Sequence, residues 1–268
     1  MGHLRRTTSP RGTRAVSESC ERNHVFALIY GSLDSFFQDA PALHFFLHHA
    51  RFRHSVSLPP GNPSRPIPAL INAIYLWGLI LSQNKDLLQF ESILASRVAT
   101  LLGSAIPVTP SHQILQIIQA KLLLVDYFFR IGHFLAGRHE AYSASSLAVA
   151  CGLHKIRTAQ PMPAFTSFVD QIDLTLQEPR DQIEEGERIN AFWAVFLMDR
   201  CLAVAFGPPL VISDMDAPGM QIDTPWPLEM ETYERVRTLG GCVVVESLIP
   251  CHFSGPDISK LAYEWDCA

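Results

Sequence analysis

One stretch constrains the fold more than any other: residues 111–136 are apolar almost all round. A helix with apolar side chains on every side has to be surrounded by other parts of the protein. A membrane-spanning helix needs roughly 20 predominantly apolar residues, and this stretch is interrupted by Asp126, Arg130 and His133. We therefore expect a long buried helix at the centre of a helical domain, and no membrane contact.

Apolar residues also recur at three- and four-residue steps elsewhere in the chain. This spacing predicts further helices over segments 24–37, 42–52, 67–83, 86–102, 138–151 and 180–206. The helix over 86–102 should bury one face made of Leu87, Phe90, Ile93, Leu94, Val98 and Leu101. Gly152 follows the helix over 138–151 and is a signal for its end.

Strands are nearly absent from the pattern. Only residues 240–249 alternate in a way that suits a strand, and one strand without a partner makes no sheet. Proline-rich segments at 55–66 and 210–227 indicate loops. The predicted fold class is all-α: a multi-helix bundle or array around long central buried helices, with long Pro- and Asp-rich loops.

Composition supports a folded core and argues against a nucleic-acid surface. The chain has 268 residues, of which 48% are hydrophobic, and its net charge is −5. Its six cysteines are scattered without a C-x-x-C pair, whereas a zinc site needs clustered ligands. Residues 1–23 are arginine-rich and predict a disordered tail.

Catalytic motifs are missing from the sequence. His44 and His48 have helical i, i+4 spacing, but the position after the first histidine is Phe45, where a zinc hydrolase carries glutamate. Neither a G-x-S-x-G elbow nor a glycine-rich phosphate loop occurs. We expect no enzyme, no catalytic residue and no metal or cofactor in this chain. An alternative is a helical small-molecule-binding protein, whose polar groups would be Asp126, Arg130 and His133 on one helix face.

Asp199 and Arg200 lie within a helix that the pattern predicts to be buried. A buried charge has to be paired or hydrogen-bonded, and the guanidinium fork can hold a carboxylate or several carbonyls. We expect both residues to tie the following loop, which contributes Asp214 and Asp216, to the helix.

Two segments resemble a known family when they are read together. The first is Ser146-Leu-Ala-Val-Ala-Cys-Gly-Leu-His-Lys155, and the second runs from Glu187 through Trp193 and Asp199-Arg200 to Gly207-Pro-Pro-Leu-Val-Ile-Ser-Asp-Met-Asp216. They are similar to the middle homology regulatory region of fungal zinc-cluster transcription factors, the fungal-specific transcription factor domain. The signature residues that the resemblance assigns are Leu147, Gly152, His154, Arg188, Phe192, Trp193, Asp199, Arg200, Gly207, Pro209, Asp214 and Asp216.

The resemblance covers residues 24–228, which we interpret as the regulatory domain. Segment 229–268 does not match the family's later helices and is interpreted as atypical, with a truncated or aberrant end as the explanation. Cys151, Lys155 and Pro208 depart from the family's usual residues. The family's zinc-cluster module, with six closely spaced cysteines, is not matched, so zinc is expected only for that module.

The resemblance implies a role in transcription regulation in the nucleus. Effector- or partner-dependent helix repacking would set the output, and DNA would be reached only indirectly. The expected partners are the transcriptional machinery or a homologous transcription factor, with a small-molecule effector as a further candidate. A non-functional or dominant-negative fragment is the remaining alternative.

Overall fold

The structure confirms an all-helical architecture: the described residues contain helices and no strand. The computed structural model describes residues 33–105, 113–157, 176–207, 209–212 and 221–238. Residues 33–39 are helical, and short 3-10 turns follow at Ala40–Leu43 and Leu153–Lys155. The further helices are α1 (His49–Val56), α2 (Pro68–Leu81), α3 (Lys85–Leu88), α4 (Glu91–Ala105), α5 (Ile114–Arg130), α6 (Phe134–Ala150), α7 (Gln182–Phe206) and α8 (Met230–Thr238). The predicted tail at 1–23 and the strand at 240–249 lie outside the described residues.

The central position of α5 is also confirmed. It packs against α2, α4, α6 and α7. Full burial of a leucine side chain stabilises a fold by about 1.5–3 kcal/mol, so a helix buried on all sides anchors its neighbours. The fully buried residues of α5 include Ile117, Ile118, Leu122, Leu123 and Leu124.

Two glutamines of α5 hold irregular segments against this central helix. The Gln119 side chain is completely buried; its Oε1 accepts a hydrogen bond from the backbone N–H of Phe46 at 2.8 Å, and its Nε2 donates to the His44 carbonyl at 3.3 Å. Gln116 Oε1 accepts from the Ile67 N–H at 2.8 Å. Because buried polar groups need partners, these contacts fix the two segments that precede α1 and α2.

The sequence prediction of one helix over 111–136 is wrong at its C-terminal end. Helix α5 ends at Arg130, and α6 follows as a separate helix. Gly132 has φ +76°, a left-handed conformation that favours glycine. The N–H of His133 then bonds to the Phe128 carbonyl at 2.8 Å, which closes the end of α5.

The predicted helix over 42–52 is shorter than expected. Residues 45–47 are all buried, and three consecutive buried side chains do not fit the single apolar face of a surface helix. His44 has φ +51°, so the chain turns there. The helix α1 starts only after His48, whose Nδ1 accepts a hydrogen bond from the Arg51 N–H at 3.1 Å.

The predicted helix over 86–102 is divided into α3 and α4, and its buried face is narrower than expected. Val98 and Leu102 are buried against α2 and α5, whereas the side chains of Phe90 and Ile93 are 42% and 61% exposed. The expectation that Phe90 and Ile93 belong to the buried face is therefore wrong. Apolar spacing indicates which side chains can be buried, whereas the positions of the neighbouring helices determine which of them are buried.

Helix α7 has 25 residues and is about 37 Å long at 1.5 Å per residue. It packs against α5, α6 and α8. Among the described helices it is the one long and apolar enough, by length and composition, to cross a membrane. Its contacts in the array and the buried, hydrogen-bonded Asp199 are those of a core helix.

Candidate functional site

The N-terminus of α7 is fixed by a carboxylate that serves two elements. Asp181 is the N-cap residue, and its Oδ1 accepts a hydrogen bond from the Glu184 N–H at 3.0 Å. Both of its oxygens also accept from the guanidinium of Arg51, at 3.0 and 2.6 Å. This two-pronged pair joins α1 to α7 across 130 residues of sequence.

One turn further along α7, two guanidinium groups share one buried carboxylate. Glu184 accepts from Arg180 Nε at 2.7 Å and from Arg188 Nη2 at 2.9 Å. Burial alone would raise the pKa of Glu184, but the hydrogen bonds from these arginines outweigh it and lower the pKa below its usual value. The carboxylate is therefore held in its ionised form.

Arg188 is itself buried, with 9% of its surface exposed. Its Nη2 is satisfied by Glu184, whereas its Nε–H has no acceptor among the described residues. A buried donor without a partner costs about 1–3 kcal/mol. Arg188 is one of the predicted signature residues, and the structure places it in the wall of a cavity.

A second carboxylate, which is half-buried, lies on the neighbouring side of α7. Glu187 Oε1 accepts a hydrogen bond from the backbone N–H of His48 at 2.8 Å. Burial raises the pKa of Glu187, and the hydrogen bond from His48 and the charge of Arg51 offset only part of this effect. The ring of His48 bonds through Nε2 to Glu234 of α8, so the residue connects α1 to both later helices.

These side chains surround two adjoining cavities of about 380 and 150 Å³ between the 57–67 loop, α5 and the start of α7. We call the pair the polar cleft. Both cavities are lined by Ser64, Gln116, Arg180 and Glu184. The larger one adds Pro63, Gln113, Leu176, Gln177, Glu178 and Arg188; the smaller adds Leu47, Arg51, Phe52, Ser55, Leu115 and Glu187.

The other end of α7 holds a loop. The side chain of Asp199 is buried, and its two oxygens accept hydrogen bonds from the backbone N–H groups of Val211 and Ile212, each at 3.1 Å. These contacts are the ones expected when a buried carboxylate ties a return loop to its helix. The guanidinium of Arg200 lies 4.5 Å from the centre of the Phe196 ring.

Two indole rings connect the middle of α7 to the segment before α8. Trp193 and Trp226 stack with ring centroids 4.4 Å apart and an interplanar angle of 14°. Trp193 Nε1 also donates to the Pro225 carbonyl at 2.5 Å. Phe192, the neighbouring signature residue, is fully buried in the core.

The remaining signature residues shape chain turns. Leu147 and His154 are buried at the end of α6 and in the following turn. Gly152 has φ +72° just after α6, as its predicted helix-ending role requires. Four signature residues remain. Gly207 ends α7, and the Pro209 carbonyl accepts a hydrogen bond from the Tyr142 hydroxyl. Asp214 and Asp216 lie outside the described residues.

The polar groups predicted for one helix face do not come together. His133 lies beyond the end of α5, where its ring stacks on Phe128, and Arg130 is exposed. Asp126 faces His44 instead, with 4.0 Å between Oδ2 and Nδ1. Likewise, His44 and His48 do not share a helix face, because His44 ends the 3-10 turn in a left-handed conformation and His48 precedes α1 as its N-cap residue. In the described ranges no cluster of three His, Cys, Asp or Glu side chains could hold a metal ion.

The structure thus defines an all-helical domain with a polar cleft at one end of its longest helix. Comparison with family models matches residues 33–233, well over half of the chain, to the fungal specific transcription factor domain. The chain belongs to this family. No curated protein and no solved structure matches it.

Family membership makes the domain a regulatory region of a fungal transcription factor, with a nuclear role in general. The family is not one of enzymes. The matched range includes the predicted signature segments, from Leu147 to Asp216, and extends into the first turn of α8.

Sequence reasoning missed the polar cleft. Of its charged residues, the family resemblance marks only Arg188 as a signature position, and no sequence pattern indicates that Arg51, Glu184 and Glu187 line a cleft. The partners of Arg51 and Glu187 lie 130 and 139 residues away. The one local signal was the acidic start of α7, which suits a helix N-terminus with or without a cleft.

Proposed function

We propose that this domain controls transcription by repacking its helices in response to an effector or a partner, and that α7 couples the two events. One observation carries the proposal: α7 is a single uninterrupted helix whose first turns line the polar cleft and whose last turns hold the return loop through Asp199. A rigid helix transmits a shift at one end to the other. A ligand that fits one arrangement better than another then changes the population of that arrangement.

The C-terminal half of α7 supports contact with another protein. Leu197, Cys201 and Val204 have i, i+4, i+7 spacing and lie on the outside of the helix, with Val204 88% exposed. We call these three residues the outer stripe. Exposed apolar surface of this kind is typical of contact sites between proteins. The partner classes are the transcriptional machinery and a homologous transcription factor, and the net charge of −5 favours an indirect route to DNA.

A reporter assay tests the proposal. The full chain is fused to a foreign DNA-binding domain, and reporter output is measured in fungal cells under varied nutrient supply. We expect output to differ from that of the DNA-binding domain alone and to respond to at least one condition. Unchanged output under all conditions would contradict the proposal.

Matched variants locate the effect. Val204→Asp places a charge on the outer stripe, whereas Ile93→Asp places one on α4, where the side chain is also exposed. We expect Val204→Asp to change reporter output several-fold and Ile93→Asp to leave it as in the parent. Equal effects of the two variants would argue against a role for α7 in the output.

A further inference from the structure

We propose that the polar cleft binds a zwitterionic small molecule of the α-amino acid class, with its carboxylate at Arg188 and its ammonium at Glu187. The inference rests on the proposed function, because it identifies the chemistry of the effector. It is carried by the pairing of charges around the cavities, by their size and by their uncharged walls.

The charges that line the cleft are balanced in sign. Three are positive and three are negative: Arg51, Arg180, Arg188, Glu178, Glu184 and Glu187. A site for a phosphate or a polycarboxylate would carry an excess of cations, and a site for a cation would carry an excess of carboxylates. A balanced lining suits a ligand that has both charges and no net charge.

The pairing inside the cleft leaves unused hydrogen-bonding capacity of each sign on two neighbouring residues, Arg188 and Glu187, while the further carboxylate, Glu178, is exposed. Arg51 is neutralised by Asp181, and the Glu184 carboxylate is neutralised by Arg180 and Arg188, which share it. The Nε–H of Arg188 has no acceptor in the described part of the chain. Glu187 is a half-buried carboxylate in the wall of the smaller cavity, and partial burial disfavours its charged form, so a nearby ammonium would stabilise it.

These two groups lie on consecutive residues of α7, one in the wall of each adjoining cavity. The carboxylate and the ammonium of an α-amino acid are joined through a single carbon atom. A molecule lying across the boundary between the cavities can therefore present one group to each side. Free carboxylate and amine compounds could satisfy only one of the two.

The uncharged walls select a compact ligand. Ser64, Gln113, Gln116 and Gln177 offer hydrogen bonds, and Leu115 and Leu176 offer apolar contact. A cavity of about 380 Å³ is near the lower end of the 300–1,000 Å³ range typical of ligand sites. A bound amino acid would join α7 to α5 and the 57–67 loop, and so favour one packing of these helices.

Thermal unfolding of the full chain provides the first test. Each of the twenty standard L-amino acids is added singly, and titration calorimetry is run on any that raises Tm. For a binder, the same carbon skeleton is tested without its amine and without its carboxylate; for L-leucine these are 4-methylpentanoate and 3-methylbutylamine. We expect the zwitterion to bind at least tenfold more tightly than either analogue. Failure of all twenty to bind, or equal binding of an analogue, would overturn the inference.

Variants show whether binding occurs in the cleft. Arg188→Gln removes the charged donor, and Ser64→Trp fills the exposed rim while leaving every charge in place. We expect both to lose binding, while Arg97→Gln, an exposed arginine on α4 that does not line the cleft, keeps it. Binding that survives Ser64→Trp would contradict the location.

The reporter assay separates this inference from the proposed function. Amino acid binding to the pure chain without any reporter response supports the ligand class and contradicts the regulatory role. A reporter response that remains in the Ser64→Trp variant, with no amino acid binding to the pure parent chain, supports regulation and overturns the ligand class.

Discussion

The two halves of α7 solve the problem of buried charge in different ways. At the N-terminal end, Arg180 and Arg188 share the Glu184 carboxylate, and the Nε–H of Arg188 has no acceptor within the described ranges. At the C-terminal end, Asp199 is a single carboxylate whose two oxygens both accept backbone hydrogen bonds. The comparison teaches that one helix can carry a closed structural contact and an open polar site. We interpret the closed contact at Asp199 as structural and the open network of the polar cleft as the proposed ligand site.

The largest effect is expected at the closed contact. Asp199→Ala leaves two N–H groups, of Val211 and Ile212, without their acceptor. Since hydrogen bonds to charged groups contribute about 1.5–3 kcal/mol each, we expect the free energy of unfolding to fall by about 3 kcal/mol. Urea denaturation of parent and variant measures it. Asp199→Asn keeps the side-chain volume and one acceptor oxygen and should lose about half as much; a loss equal to that of Asp199→Ala would show that a single neutral acceptor oxygen does not replace the carboxylate.

A smaller effect is expected where α8 covers the first half of α7. A Cβ atom at Gly186 would lie 2.5 Å from Tyr233 Cδ2, so Gly186→Ala has to displace this ring. Overpacking typically costs about 1–3 kcal/mol, and we expect a loss near 2 kcal/mol in urea denaturation. The matched control is Gly103→Ala in α4, where a Cβ meets nothing within 4 Å. Alanine favours helix over glycine by about 1 kcal/mol, so this control should gain stability.

Two carboxylates of the polar cleft should respond to pH with opposite signs. The pKa of Glu184 is lowered in the folded chain, so its stabilising contribution is present above its ordinary value of 4.5 and is lost as the pH falls through the folded pKa. The pKa of Glu187 is raised, so its ionisation costs stability as the pH rises through that higher pKa. We expect Glu184→Gln to be less stable and Glu187→Gln more stable than the parent at pH 7. In urea denaturation repeated at lower pH, the two differences should shrink toward zero; a constant difference would rule out titration as the cause.

The smallest effect on stability is expected on the outer stripe. Val204 is 88% exposed, and exposed substitutions usually change stability by less than about 0.5 kcal/mol. Val204→Ser should therefore leave the urea midpoint unchanged. A clear loss of stability would show that the stripe is covered in the folded chain, by this chain or by a second copy. Denaturation at two protein concentrations distinguishes these two cases.

The closed half of α7 was largely predictable from sequence because its signals are local. The Gly207 stop marks the end of the helix, and Asp199 within an apolar run has to find partners. The predicted helix over 180–206 differs from α7 by two residues at its start. Family resemblance placed the same stretch in a regulatory domain, as the family match bears out.

The open half could not be predicted in the same way. The cleft exists because Arg51, Ser64 and Gln116 reach α7 from distant parts of the chain, and no periodicity encodes that meeting. The left-handed turn at Gly132 was missed for a related reason, since apolar residues continue on both sides of it. Patterns of apolar residues indicate which surfaces can be covered, whereas the pairing of individual polar groups depends on the assembled structure.

The stacked pair of Trp193 and Trp226 gives the molecule an optical signal of its own. Two stacked indoles 4.4 Å apart couple their electronic transitions, and we expect a paired band in circular dichroism when the transition dipoles of the two rings are rotated relative to each other. One ring belongs to α7 and the other to the segment leading into α8. Any event that separates these two segments therefore erases the band, and movement within the domain can be followed spectroscopically without an attached label.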